Sequence, residues 1–198
     1  MQQSLFDLPS PVVRRRPITQ AAEPSVPRVS AHLEAGRAAE YLVCADLILN
    51  GWTAFLTDQG VPYDLLVDTS HERVRVQVKA TLSPKCPGNN QERITPAYFF
   101  HPRRVGKRGT RKYGDNEFDI YAFVALDRRQ VAYFALAELP KQCLVIRIPG
   151  IHYGSKGRGS REFDGATFDR ALQVWRIASG VNLSRFATQG SVLNPQAV

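Results

Sequence analysis

The sequence predicts a single α/β domain in which a mixed β-sheet is flanked by helices. The chain has 198 residues and is 43% hydrophobic, which is typical of one well-buried globular domain with a tail rather than of a disordered protein. Apolar residues recur at helical spacing near both ends of this domain, and short stretches with a period of two lie between them. Proline- and glycine-rich segments separate these stretches, as expected for alternating elements and loops.

Residues 1–29 are predicted to be a flexible arm. They contain five prolines and three consecutive arginines, and no periodic apolar pattern follows Phe6. The folded domain is expected to span 30–180, and 181–198 to form a frayed C-terminal tail.

The first elements of the domain are a helix and a hairpin. The helix should begin after Ser30, a suitable N-cap, and end at Asn50-Gly51. Strands are predicted at 52–56, 63–67 and 73–80, and the turn-rich link between the last two favours antiparallel pairing.

The second half of the domain completes the predicted sheet. Residues 81–117 are expected to be loops around one short strand at the aromatic patch 98–100. Paired strands at 118–126 and 131–135 follow, and a further strand at 143–148 would complete the mixed sheet. A closing helix is indicated by helical spacing of Phe168, Ala171, Leu172 and Trp175.

The formal net charge of +8 favours a polyanionic partner, namely nucleic acid. The charge is concentrated at 14–16 and at 101–113, and the second segment is a candidate DNA-backbone contact, with a merely solvated loop as the alternative. Its basic residues are Arg103, Arg104, Lys107, Arg108, Arg111 and Lys112.

Two further features bear on the compartment. The three cysteines, Cys44, Cys86 and Cys143, are far apart in the sequence and suggest neither a disulfide framework nor a zinc site. No apolar run approaches the roughly 20 residues needed to cross a bilayer, and no secretory signal is visible at the N-terminus. A cytoplasmic protein is therefore expected.

The stretch 73–79 alternates between polar residues at odd positions and valine at even positions. In a strand, this period of two places Gln77 and Lys79 on one face. An ordinary solvated strand edge has the same pattern, so the alternation alone does not identify a site.

Asp64 is predicted to lie at the start of the partner strand, where the hairpin would bring it near Gln77 and Lys79. A carboxylate, an amide oxygen and an ammonium together can hold a hard cation through oxygen ligands and contact a phosphate. A turn or strand-cap role for Asp64 is the alternative.

Glu40 falls in a predicted apolar stripe of the first helix, formed by Leu33, Gly36, Val43 and Leu47. A carboxylate on the core side needs a positive partner, and a metal or Lys79 would serve. Gly36 would let the helix approach the sheet closely. The alternative is a glutamate at the edge of the stripe that reaches solvent.

A helix glutamate, then an aspartate, then Gln77-Val78-Lys79 across a hairpin resembles the PD-(D/E)xK nuclease superfamily, with glutamine in place of the usual acidic residue. This variant resembles the group I intron homing endonucleases, and the helix-first order resembles the archaeal Holliday junction resolvases. The resemblance covers about residues 30 to 136 and implies a restriction-endonuclease-like fold.

The same resemblance implies a Mg²⁺- or Mn²⁺-dependent DNA endonuclease, in repair or recombination or as a homing-type enzyme. Asp64, the Gln77 side-chain oxygen and the Val78 carbonyl would surround the metal, Lys79 would orient the attacking water, and Glu40 would complete the site. Such enzymes often act as homodimers or higher oligomers. The alternative is an inactive DNA-binding or clamp-associated adaptor with the same fold.

The N-terminal residues Gln2-Gln3-Ser4-Leu5-Phe6 resemble the Q-L-(S/D)-L-F peptide by which bacterial repair and replication proteins bind the sliding clamp. Leu5 and Phe6 would fill an apolar pocket while Gln2 forms hydrogen bonds, and the arm would tether the domain near DNA.

Overall fold

The protein is represented by a computed structural model that describes residues 30–58, 60–86, 95–102, 104–106, 109–111, 117–140, 143–153 and 160–180. The predicted arm, the C-terminal tail and the clamp-binding residues Gln2, Leu5 and Phe6 lie outside these ranges, so those predictions stay predictions.

Two α-helices have the predicted signals at their ends. Helix α1 (Ala31–Leu49) begins after Ser30, whose hydroxyl oxygen accepts a hydrogen bond from the Leu33 N–H at 3.4 Å. It ends at Asn50, and Gly51 follows with a φ of +86°, a left-handed conformation that favours glycine. Helix α2 (Phe168–Ala178) begins after Thr167. No helix in the described part of the chain is long and apolar enough to cross a membrane.

Nine short strands lie within the described ranges. In chain order they are β1 (Thr53–Leu56), β2 (Leu65–Asp68), β3 (Arg73–Thr81), β4 (Tyr98–Phe100), β5 (Arg104–Gly106), β6 (Gly109–Arg111), β7 (Ile120–Ala125), β8 (Gln130–Ala135) and β9 (Leu144–Ile146).

Five of these strands form the predicted mixed sheet, in the order β1-β2-β3-β7-β8. All neighbours are antiparallel except β3 and β7, which are parallel. Strand β3 is therefore central, with hydrogen-bonded neighbours on both sides. The interpretation of its alternation as a solvated edge is wrong for this reason.

Two predictions for the second half of the domain are wrong. Strand β9 does not complete the main sheet but pairs with β4 in a separate two-stranded sheet, because its alternate residues Leu144 and Ile146 are buried in a second core. The segment 81–117 contains more than one strand, since β5 and β6 form a hairpin that its glycines and arginines did not indicate.

The main sheet has a hydrophobic core on each face. The even-numbered valines of β3 pack with apolar residues of both helices, whereas Tyr121 and Phe123 of β7 pack in the second core with β4 and β9. In the register, Gln77 pairs with Tyr121 and Lys79 with Phe123. Both polar residues thus lie on the face opposite the helices, as the period of two predicts.

Candidate active site

Asp64 lies immediately before β2, not within a strand that begins at residue 63 as predicted. Its backbone is nevertheless fixed on both sides, because its N–H donates to the Val76 carbonyl at 2.9 Å and its carbonyl accepts from the Thr57 N–H at 3.0 Å. Since Leu65 pairs with Val76, Asp64 comes next to Gln77 in the hairpin. The backbone of β2 and β3 therefore brings these two residues together.

The Asp64 carboxylate is the centre of a small hydrogen-bonded cluster. Its Oδ2 accepts a hydrogen bond from the Val78 N–H at 2.7 Å and a second from the Gln77 side-chain amide. The same Gln77 Nε2 lies 3.4 Å from the Val78 carbonyl oxygen. Gln77 is only 7% exposed, so these contacts lie in a buried environment. The Gln77 amide nitrogen thus lies between the Asp64 carboxylate and the Val78 carbonyl oxygen.

The pKa of Asp64 is raised above that of an ordinary aspartate. Burial is the largest cause, and the negative charge of Glu40 adds to it, while the Val78 N–H, Lys79 and the Gln77 amide act in the opposite direction. Glu40 and Lys79 are therefore both close enough to influence this carboxylate. A raised pKa means that the charged form of Asp64 is less favourable here than in a solvent-exposed aspartate.

Lys79 follows two residues after Gln77 on the same face of β3 and is partly buried. Its positive charge lowers the pKa of Asp64, which places its ammonium in the electrostatic neighbourhood of the cluster. A phosphate brought to Asp64 would also be near this ammonium.

Glu40 has a positive partner within its own helix, because Arg37 Nη1 lies 2.8 Å from Glu40 Oε2. The buried stripe of α1 consists of Ala39, Val43 and Leu47, whereas Leu33 is 67% exposed. Glu40 therefore lies at the flank of the stripe, 22% exposed, where it can be both paired and near Asp64.

Gly36 does not provide a close approach between helix and sheet. A Cβ built at Gly36 would meet no atom within 4 Å, so the neighbouring elements leave space at this position. The prediction that Gly36 lets the helix approach the sheet closely is therefore wrong.

An ion pair that sequence reasoning missed holds β3 against β7 beside the cluster. Asp119 is 8% exposed and accepts hydrogen bonds from Arg75 Nε at 3.0 Å, from Arg75 Nη2 at 2.8 Å and from the Arg75 N–H at 2.8 Å. Arg75 is on the same face of β3 as Gln77 and Lys79. The sequence signal for this pair was the position of Asp119 between Phe118 and an apolar strand, because a carboxylate buried there needs a cationic partner.

The oxygen atoms at the cluster suit a hard divalent cation. The Asp64 carboxylate and the Val78 carbonyl are such ligands, and a 180° turn of the Gln77 amide would present its oxygen as a third. Among the described residues, no group of three or more histidine, cysteine, aspartate or glutamate side chains could hold a metal. The donor set fits Mg²⁺, which binds proteins through one or two carboxylates and keeps several waters.

The basic segment is only partly described. Arg104 and Arg111 are Cα partners in the β5–β6 hairpin, so they are on strands and not in an irregular loop as predicted. Arg103, Lys107, Arg108 and Lys112 lie outside the described residues.

The sequence matches no protein-family profile and no curated protein. Among solved structures, the chain is similar to a bacterial homing endonuclease, I-Ssp6803I, with a TM-score of 0.55 at 17% sequence identity. The similarity covers 76% of this chain and 97% of that endonuclease. The chain therefore shares its fold with almost the whole of that protein.

Proposed function

We propose that the protein is a Mg²⁺-dependent endonuclease that hydrolyses DNA phosphodiester bonds at the cluster of Asp64, Gln77 and Lys79. The observation that carries the proposal is the contact of the Asp64 carboxylate with Gln77 and Val78, with Lys79 close enough to affect its pKa. Oxygen ligands beside an ammonium form a suitable environment for a phosphate and a divalent cation.

Each residue has a distinct role in this proposal. Asp64, the Gln77 side-chain oxygen and the Val78 carbonyl would hold the cation, which when bound supplies a Lewis acid and lowers the pKa of water. The Lys79 ammonium would orient the attacking water and offset the negative charge that develops on the phosphate. Glu40, whose negative charge contributes to raising the pKa of Asp64, would complete the site, directly or through a metal-bound water.

Charge and fold agree with DNA as the substrate. The net charge of +8 favours a polyanion. A solved structure that shares the fold is titled a bacterial homing endonuclease. A homing role, or one in repair or recombination, and a homodimeric or higher assembly are parts of the proposal, and the substrates tested below distinguish cleavage of flaps and junctions from cleavage of linear DNA.

The experiment is a cleavage assay in Mg²⁺, Mn²⁺ and EDTA on linear, flapped and four-way-junction DNA. Wild type should cut in the presence of a divalent cation, and Lys79→Ala and Asp64→Ala should lose most of the activity because each removes a group at the reacting phosphate. Arg73→Ala is the matched control, since Arg73 is an exposed basic residue on the same face at the start of β3. Equal cleavage by wild type and both site variants would refute the proposed site.

The second candidate is a DNA-binding adaptor that does not cut. It is favoured by one observation, that Gln77 brings no negative charge and Glu40 is paired with Arg37, which leaves Asp64 as the one carboxylate in the hydrogen-bonded cluster. Cation-independent DNA binding by wild type with no cleavage of any substrate would support this function instead.

We also propose that the N-terminal peptide binds a bacterial sliding clamp. The support is the sequence pattern alone, with Leu5 and Phe6 as the apolar anchors. A clamp pull-down should lose the protein when both are changed to alanine, and unchanged capture would exclude this partner.

A further inference from the structure

A groove of about 330 Å³ lies beside the candidate active site, between the first turns of α1 and the chain that leaves β3. The residues that line it include His32 and Gly36 from α1, Thr81, Ser83 and Lys85 from the end of β3 and beyond, and Leu126. Nothing in the catalytic proposal uses this groove.

The groove lies on the side of β3 that faces α1, and Thr81, which lines it, shares the Lys79 face of the strand and so connects the groove with the face of the site at the end of β3. Thr81 follows Lys79 by two residues along β3, a distance of about 7 Å at the rise of a strand. On the helix side, Gly36 is one turn before Glu40. A DNA strand whose phosphate lies at Lys79 would therefore meet this groove within about two base-pair steps.

The chemistry of the lining suits a sugar-phosphate chain. Lys85 and His32 offer cationic or donor groups, Thr81 and Ser83 offer hydroxyls, and the described lining contains no acidic residue. Lys85 is exposed, yet its backbone is fixed by two hydrogen bonds with Ala97, at 2.8 and 3.0 Å. An ammonium on a fixed backbone can contact a phosphate with little loss of backbone freedom.

Gly36 keeps the groove open. Glycine in a helix interior costs about 0.5–1 kcal/mol relative to alanine, yet no packing contact requires it here, because a Cβ would meet nothing within 4 Å. The fold thus bears a cost at a position where any larger side chain would project into the groove.

We propose that this groove binds the DNA strand next to the scissile phosphate, with Lys85 contacting a backbone phosphate and Gly36 leaving room for the strand. The inference rests on the proposed function and deepens it by naming where the substrate lies relative to the catalytic cluster.

The test uses the full chain and three variants: Gly36→Gln, Lys85→Ala and the matched control Ala38→Gln. Ala38 is exposed and two residues further along α1, on the opposite side of the helix from Gly36. The measurements are binding of fluorescein-labelled duplex and junction DNA at several salt concentrations, cleavage in Mg²⁺, and thermal unfolding.

Gly36→Gln should weaken DNA binding by about tenfold or more, since the new side chain must be displaced or the strand excluded, while its melting temperature stays equal to or above that of wild type. Ala38→Gln should bind like wild type. Lys85→Ala should reduce the slope of log affinity against log salt by about 0.9, the loss expected for one phosphate contact.

Wild-type affinity and salt slope in both groove variants would overturn the inference while leaving the nuclease proposal intact, provided that wild type cleaves DNA. A Gly36→Gln protein that is less stable but binds DNA normally would also overturn the inference. Its lower stability would mean that the new side chain collides with protein atoms and not with a bound DNA strand. Wild type that neither binds nor cleaves DNA would refute the proposed function and this inference together.

Discussion

Replacement of Gln77 by glutamate tests what the neutral amide does in this site. In wild type, the amide donates a hydrogen bond to the Asp64 carboxylate, and both groups lie in a partly or fully buried environment. Gln77→Glu replaces the donor by a second carboxylate at the same place. Without a cation, two carboxylates in contact repel each other, and we expect a less stable protein.

The expected loss of stability in Gln77→Glu follows from two contributions. Loss of a hydrogen bond to a charged group costs about 1.5–3 kcal/mol. Repulsion between unit charges about 4 Å apart reaches about 4 kcal/mol near a protein surface, and uptake of a proton limits it. A net loss of about 2–5 kcal/mol would lower the melting temperature of a domain of this size by roughly 4–20 °C.

The sign of the pH dependence is also fixed. A repelled carboxyl has a higher pKa in the folded protein than in the unfolded chain, so the folded state binds more protons between the two values. Stability of the variant relative to wild type should therefore fall as pH rises above the ordinary carboxyl pKa of about 4. In acid, where the new carboxyl group is protonated, the difference in unfolding free energy between Gln77→Glu and wild type should shrink toward that of a neutral substitution.

Thermal and urea unfolding in EDTA and in Mg²⁺, at pH 5 and pH 8, are the measurements. Mg²⁺ should stabilise Gln77→Glu more than wild type, because the added charge strengthens cation binding. Gln77→Met is the control, being neutral and of similar size, and it should show no added Mg²⁺ effect. A Gln77→Glu protein as stable as wild type in EDTA, with no larger response to Mg²⁺, would refute the reasoning.

Three further substitutions have defined outcomes. Asp64→Asn should raise the free energy of unfolding at neutral pH, because burial raises the pKa of Asp64 and makes its charged form less favourable. This gain in stability should vanish below about pH 4, and a difference that stays constant across pH would contradict this cause. Asp119→Ala should cost about 3–5 kcal/mol in urea unfolding, since Arg75 loses its buried partner; a loss below about 1 kcal/mol would argue against the ion pair. Tyr133→Phe should lower the free energy of unfolding by about 1 kcal/mol, because the Tyr133 hydroxyl donates a hydrogen bond to Asp46 Oδ2 at 2.6 Å and its pKa is strongly raised, mainly by burial. A variant as stable as wild type in guanidinium unfolding would exclude that contribution.

The parts of the fold predicted correctly are those set by local patterns. Ser30 and Asn50-Gly51 define the ends of α1 through capping and a left-handed glycine, interactions made within a few residues. The shared face of Gln77 and Lys79 follows from the geometry of any strand. These features need no knowledge of the distant chain.

Several errors concern partners rather than element types. Residues 144–146 form a strand as predicted, but the pattern does not specify which strand pairs with them, and β4 does. The pair of Glu40 with Arg37, three residues earlier in the same helix, was also not predicted, although i,i+3 pairs are neighbours on a helix surface. Asp119 was missed because its partner Arg75 is 44 residues away in sequence.

The parallel pairing of β3 with β7 has a consequence for the order of folding. Asp64 and Gln77 are 13 residues apart, whereas Arg75 and Asp119 are 44 apart. Closing the shorter loop costs less chain entropy, and contacts distant in sequence slow folding. We therefore expect the β2–β3 hairpin to bring Asp64 and Gln77 together early, and the Arg75–Asp119 pair to form only when the chain returns at β7. The Asp64–Gln77 contact would then form before the sheet that supports it is complete.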